Sequence, residues 1–210
     1  MGAVGETRAV RPLIEWSTAQ RAKRGEVESG DQCFVALSTE RALLAAIDGL
    51  GHGPEAAMAA RRAVDTLEAG ADETIVSLVR RCHDALQPTR GAVMGLASFG
   101  AWENGMQWLG IGNVEGVVVR AHAIARPRVE RLLARGGVVG HRLPRLLVST
   151  VALTRDDVVV LATDGIRADF ADRLTAGEPP RGLADRILAA YGKELDDALV
   201  LVARYLGSAP

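Results

Sequence analysis

At 210 residues, with 48% hydrophobic and 24% charged side chains, the chain is long enough to bury one sizeable core and has the composition of an ordinary globular protein. A formal net charge of -1 leaves no electrostatic footprint for nucleic acid or an anionic membrane surface, so a protein or small-molecule partner is expected. Two cysteines, Cys33 and Cys82, lack the number and spacing of a disulfide framework or a metal site and read as reduced core residues. The leading "MGAVGETRAVRPLIEW" has no apolar stretch of signal-peptide type, and no run approaches the roughly 18 apolar residues of a membrane span, so a cytoplasmic chain is expected.

In chain order, "TAQRAKRGEVESG" (18–30) reads as a flexible connection. "CFVALS" and "RALLAAID" follow as two short apolar runs parted by a polar "TER", the pattern of a hairpin ending at Asp48. Pro54 sits at a good first helical position with Glu55 behind it, and the predicted helix runs to about Glu68, where "EAGADE" breaks it. Ile75, Leu78, Val79, Cys82 and Leu86 fall on one stripe of a second helix. After "QPTRG" the texture changes. "AVMGLASF", "GMQWLGIG", "GVVVRA" and "RPRVERLLA" read as an antiparallel meander, parted by "WENG", "NVEG" and a polar stretch. "RLLVSTVALT" and "DDVVVLATDG" suggest a further strand pair. "RPR" near 126–128 and "TAGEPPRG" (175–182) read as flexible; Leu183, Ile187 and Tyr191 mark a last helix and "DDALVLVARY" a last strand. Helices segregated from antiparallel strands give an α+β class, not a doubly wound sheet. One domain over 1–210 is expected.

Four acids share a setting. Asp31, Asp48, Asp164 and Asp196 each stand beside a glycine or a second acid at the edge of an apolar strand. Any one of them alone reads as a turn or cap residue, because Asp-Gly is a common turn dipeptide. Several such ends converging make a set of like charges that only a cation stabilises, and hard Mg²⁺ or Mn²⁺ prefers oxygen ligands. The stretch "AAIDGLGHGPEAAM" is unusual by itself, since Gly49, Gly51 and Gly53 exceed what a turn needs.

Together and in this order, "SGDQCFV", "DGLGHGPEAA", "GIGNVEG", "ATDGI" and "DDALVLVAR" resemble the motifs of the metal-dependent PPM (PP2C-type) protein phosphatases, specifically the bacterial SpoIIE branch. The resemblance spans about residues 12–205 and is greatest to the RsbX-type stressosome phosphatases. It implies a four-layer α-β-β-α sandwich of two antiparallel sheets flanked by helices. It also implies two Mn²⁺ or Mg²⁺ ions: Asp48 bridging them, the Gly49 carbonyl on one, Asp164 and Asp196 on the second, and Asp31 supporting the first. Asp48, Asp164 and Asp196 would then act in catalysis through metal-bound water.

The chain departs from the wider family's pattern at Leu50, where a histidine is usual, at Ala168, with Asp169 one position off, and at Leu199. His52, Asp169 and Asp197 are therefore left without an assigned role, and no phosphate-binding arginine stands out. The implied activity is removal of phosphate from phosphoserine or phosphothreonine on STAS-domain scaffold, antagonist or anti-anti-sigma proteins, by a monomer that binds neither nucleic acid nor membrane. The alternative is an inactive phosphatase-fold module that only binds such a partner.

Overall fold

The structure, a computed structural model, describes residues 12–100, 105–122 and 124–207. The "WENG" turn falls largely outside them, as does the start of the N-terminal stretch. One sheet has the order β1 (Ile14–Arg21), β11 (Ala198–Tyr205), β10 (Val158–Ala162), β6 (Glu115–Val119), β7 (Val129–Leu132). The other runs β2 (Asp31–Leu37), β3 (Arg41–Gly49), β4 (Ala92–Gly100), β5 (Gly105–Ile111), β8 (Ala134–Arg135), and β9 (Ser149–Ala152) also pairs with β5. Helices α1 (Pro54–Glu68) and α2 (Ile75–Leu86) lie on the second sheet, and α3 (Pro180–Tyr191) lies on the first. The expected α-β-β-α layering is the one observed.

Strand parity explains the layers. In β3, Ala42, Leu44 and Ala46 face the opposite sheet, while Leu43, Ala45 and Ile47 face α1 and α2. All six are buried, which is why "RALLAAID" reads as a continuous apolar run and not as an alternation. The stripe Ile75, Leu78, Val79, Cys82 and Leu86 is the buried face of α2, whose first turn is capped by Thr74 accepting from Ser77 N–H at 3.2 Å. Small residues Ala56, Ala59, Ala60 and Ala63 let α1 lie close on its sheet.

Trp108 fills the space between the sheets. Its indole N–H donates to the Leu133 carbonyl at 2.9 Å. Its ring stands where side chains on Gly95, Gly110 and Gly116 would be, the imagined Cβ atoms lying only 2.5, 2.9 and 2.7 Å from it. Three glycines, on β4, β5 and β6, thus make room for one aromatic side chain.

Three expectations are corrected. The four strands after "QPTRG" are not one meander: β4 and β5 pair in one sheet, whereas β6 and β7 pair in the other. The chain changes sheets at Gly112, which takes φ +85° and where a Cβ would run into Val93. The pairing of "RLLVSTVALT" with "DDVVVLATDG" also fails: β9 joins β5, because both edges of β10 are already taken by β6 and β11. Finally, residues 18–21 are not a loop but the end of β1, an edge strand paired along its full length with β11.

Adding a methyl at Gly95 forces Trp108 to move, so Gly95→Ala is expected to destabilise the fold by about 1–3 kcal/mol in urea unfolding. Trp108→Phe removes the ring edge that Gly95 faces. In that background Gly95→Ala is expected to cost less, and strict additivity of the two changes would contradict the packing described.

Candidate functional site

The hairpin register puts Asp31 directly opposite Asp48. Parity puts both on the inner face: Asp31 continues Cys33 and Val35, and Asp48 continues Ala42, Leu44 and Ala46, toward the facing sheet. The same reasoning in the facing sheet carries Val159 and Leu161 forward to Thr163, and Leu201 and Leu199 back to Asp197. The inner faces of four strand ends therefore meet at one edge of the sandwich. Asp164 and Asp196 stand one residue further out, at the loops.

The contacts confirm this meeting. Thr163 Oγ1 donates to Asp31 Oδ2 at 2.7 Å and accepts from Leu199 N–H at 2.9 Å, and it is fully buried. Asp197 accepts from Gly30 N–H at 2.9 Å and from Lys23 N–H at 2.8 Å, which ties the β1–β2 loop to the start of β11. Asn113, on the turn between β5 and β6, donates to Asp164 Oδ2 at 2.7 Å. Lys193 Nζ donates to the Asp164 carbonyl, and Asp196 accepts from Asp197 N–H at 3.1 Å.

The glycines beside the acids have a steric role. A Cβ on Gly49 would collide with the Ala56 carbonyl at the start of α1, and one on Gly165 would collide with the Asp197 carbonyl. Gly49 N–H donates to the Gly30 carbonyl at 3.0 Å, closing the two motifs against each other. Gly53 takes φ +73° as the N-cap before Pro54, so the chain turns into α1 at once.

Electrostatically the site is under strain. Burial pushes Asp31 up to about 7; the Thr163 hydrogen bond opposes the rise, and Asp197, Asp164 and Asp196 add to it. Burial likewise pushes Asp48 up to about 8, with Asp31, Asp164, Asp196 and Asp197 all adding to the rise. Asp164 is raised by burial and by Asp196, against the pull of Lys193 and Asn113. Among the described residues, no three His, Cys, Asp or Glu side chains are drawn round a single point as a ready cage for an ion. Asp31 and Asp164 instead lean on the neutral donors Thr163 and Asn113. The donor set is nonetheless of the type that a hard divalent cation takes: oxygen throughout, largely buried and mutually repelling.

Not every candidate joins the group. His52 is half-exposed, with Nδ1 2.8 Å from Glu26 Oε1, and Asp169 is exposed and ion-paired with Arg167. Thr163, Asn113 and Lys193 carried no role in the sequence reading. Parity from Val159 would have found Thr163; for Lys193, on a loop after α3, no local pattern exists.

Three comparisons bear on this geometry. A family model described as Stage II sporulation protein E (SpoIIE) matches residues 38–206. The phosphoserine phosphatase RsbX of Bacillus subtilis (strain 168) is 22% identical over 192 residues, covering 91% of this chain and 94% of its own length. A crystal structure of RsbX in complex with magnesium matches with a TM-score of 0.81 and 20% identity, over 91% of this chain and 95% of that one. A further solved structure, described as "The bacterial stressosome: a modular system that has been adapted to control secondary messenger signaling", matches with a TM-score of 0.80 and 31% identity, over 91% of this chain and 99% of that one. Among the described residues, no helix is long and apolar enough to cross a membrane.

With no cation bound, the raised acids set a pH dependence. Folded Asp31 and Asp48 hold their protons to about 7 and about 8, whereas the ordinary aspartate value is 3.8. Between about pH 4 and pH 8 the folded chain thus binds more protons than the unfolded one, so stability falls as pH rises through that window and levels off above it. In EDTA the urea midpoint is expected to drop from pH 4 to pH 8. Asp48→Asn should raise the midpoint at pH 8 and flatten the drop; a midpoint indifferent to pH in the parent protein would contradict the electrostatics described.

Proposed function

The chain belongs to the SpoIIE family and has the PP2C-type fold, and on that premise we propose that it is a phosphatase dependent on Mg²⁺ or Mn²⁺, acting on phosphoserine or phosphothreonine of STAS-domain regulators. The observation that carries the reading is the buried Asp31–Asp48 pair, cross-strand neighbours of like charge with Asp164 and Asp196 beside them. Like charges directly opposite destabilise a sheet, and a hydrophobic strand end has cheaper ways to make a turn. The arrangement makes sense as a cation site. The magnesium-bound RsbX structure supports the choice of ion, and the stressosome structure supports the choice of partner. The region from about 12 to 205 would form one catalytic domain.

In this reading Asp48 and the Gly49 carbonyl would hold one ion with Asp31, and Asp48, Asp164 and Asp196 would hold a second. Bound divalent ions supply a water acidic enough to lose its proton near neutral pH and offset the charge that develops at phosphorus. The chain's own residues do the positioning. Thr163 fixes Asp31, Asn113 fixes Asp164, and Asp197 keeps the Gly30 turn against β11 so that the four strand ends stay in register. Neither cysteine is set up as a nucleophile: burial raises the thiol of Cys33, two residues from Asp31 on the same face of β2, and Cys82 is buried under α1 with its thiol on the Ala63 carbonyl and pushed up to about 12. A cysteine nucleophile has no place in the reaction.

Hydrolysis of p-nitrophenyl phosphate is expected to require Mn²⁺ or Mg²⁺ and to be abolished by Asp48→Ala or Asp164→Ala with the far-UV spectrum unchanged. Turnover that survives EDTA, or survives both substitutions, contradicts the proposal. Thr163→Val removes the donor to Asp31 while keeping side-chain volume. It is expected to weaken Mn²⁺ binding by about 10- to 100-fold in calorimetric titration, with Thr163→Ser close to the parent protein.

A further inference from the structure

Outside the acid set, the strongest unexplained feature is a group of cations around the β1–β2 loop and the loop before β11. Arg21 ends β1, Lys23 and Arg24 follow it, and Lys193 begins the approach to β11. Most other arginines close to this edge are engaged: Arg61 pairs with Glu28, Arg90 with Glu55, Arg167 with Asp169. Among the described residues, none of Arg21, Lys23 and Arg24 is within ion-pair distance of a carboxylate side chain, whereas Lys193 is already engaged at Asp164. Arg21 is instead held through its guanidinium, with Nη2 donating to the Lys193 carbonyl at 2.8 Å, and Arg24 N–H donates to the Glu194 carbonyl at 3.4 Å. Between them lies a cleft of about 380 Å³ lined by Arg21, Ala22, Arg24 and Glu194.

Two facts give this cleft a direction. Lys23 N–H is bonded to Asp197, whose other oxygen holds Gly30 next to Asp31, so the cleft lies a few residues from the acids through fixed hydrogen bonds. Two apolar side chains also project from the same loops, Val27 at 97% and Leu195 at 78% exposure. Arginines with no carboxylate partner and bare apolar side chains a few residues from an acid cluster are features of a protein-recognition surface, where charge selects the partner and steers it.

We propose that the Arg21–Arg24 cleft binds an acidic segment flanking the phosphorylated residue of the substrate protein. The proposal rests on the phosphatase reading above. A phosphoryl group seated at the acids leaves the chain that carries it running over the β1–β2 and α3–β11 loops, and glutamate or aspartate there meets unpaired guanidinium groups. Glu194, at the rim, disfavours an acid placed directly over it, so recognition falls to Arg21 and Arg24.

The test uses the full chain with Mn²⁺ and two phosphoserine peptides, one with glutamates on both sides of the phosphoserine and one with glutamines in their place. The glutamate peptide is expected to have the lower KM, with the advantage shrinking as salt is raised. Arg24→Glu and Arg21→Gln should each raise the KM for that peptide by about threefold to fivefold, the size of an exposed ion pair. Together they should erase the preference, while kcat and p-nitrophenyl phosphate turnover stay as in the parent protein and Arg24→Lys keeps the preference. Equal KM values for the two peptides in the parent protein, or a preference that survives both substitutions, overturns the proposal. A parallel loss of p-nitrophenyl phosphate turnover also overturns it, since the arginines would then be balancing the charge of the acids.

Binding of the fluorescein-labelled glutamate peptide without phosphate, followed by anisotropy, needs no turnover. Charge-dependent binding by a chain that hydrolyses nothing would sink the phosphatase reading and leave the cleft standing. Hydrolysis with binding indifferent to Arg24→Glu would do the reverse.

Discussion

Two carboxylates placed directly across a strand pair, both turned inward, are the constraint around which this molecule is arranged. Asp31 and Asp48 repel each other and lose hydration at the same time. A hairpin free to choose would slip by one residue and send both outward, but the slip would also send Ala42, Leu44 and Ala46 to the wrong face. The apolar register of β3 therefore holds the acids where electrostatics alone would not. Core packing supplies the stability, and the site draws on it.

What surrounds the pair follows from that. Thr163 gives Asp31 a buried hydroxyl donor without adding a charge, and Asn113 does the same for Asp164. Lys193 reaches the Asp164 backbone and moderates that acid from the solvent side. Asp197 has a different task from its neighbour Asp196: both of its oxygens accept backbone N–H groups from the β1–β2 loop. It works as a clamp between the sheets, although it adds to the negative field felt by Asp31. Removing its charge would loosen the loop that carries Asp31, so its structural role and its electrostatic one are not separable by a simple truncation.

Much of this is legible in the sequence, and the parts that are not have physical reasons. The hairpin, α1 and α2 follow from local patterns, because β3 carries its own apolar run, Pro54 marks the entry to α1, and α2 carries a clean buried stripe. Which sheet a strand joins is not a local property. The chain crosses between sheets at Gly112, and nothing in "GIGNVEG" distinguishes that crossing from a hairpin turn. β1 escapes notice because it is an edge strand whose second half, "TAQR", is polar on its exposed face. At the site, the acids stand out by their Asp-Gly and Asp-Asp settings. Thr163 is visible only by counting alternate residues back through β10, and Lys193 depends on where the loop after α3 is carried by the fold.

The glycines read differently in the sequence and in three dimensions. Their flexibility suggests room for a ligand beside the acid, but at Gly49 and Gly165 the space is already filled by the carbonyls of Ala56 and Asp197. A glycine here removes freedom: with no Cβ, the start of α1 and the start of β11 press directly on the residues after Asp48 and Asp164. The backbone beside Asp48 and Asp164 is thereby held by these contacts, and Asp164 is held as well by the Asn113 hydrogen bond. With the backbone pinned, the strand ends that carry these repelling carboxylates cannot relieve the repulsion by moving apart. Relief has to come from a proton or from a cation, and the raised ionisation of Asp31 and Asp48 is the form it takes when only protons are at hand.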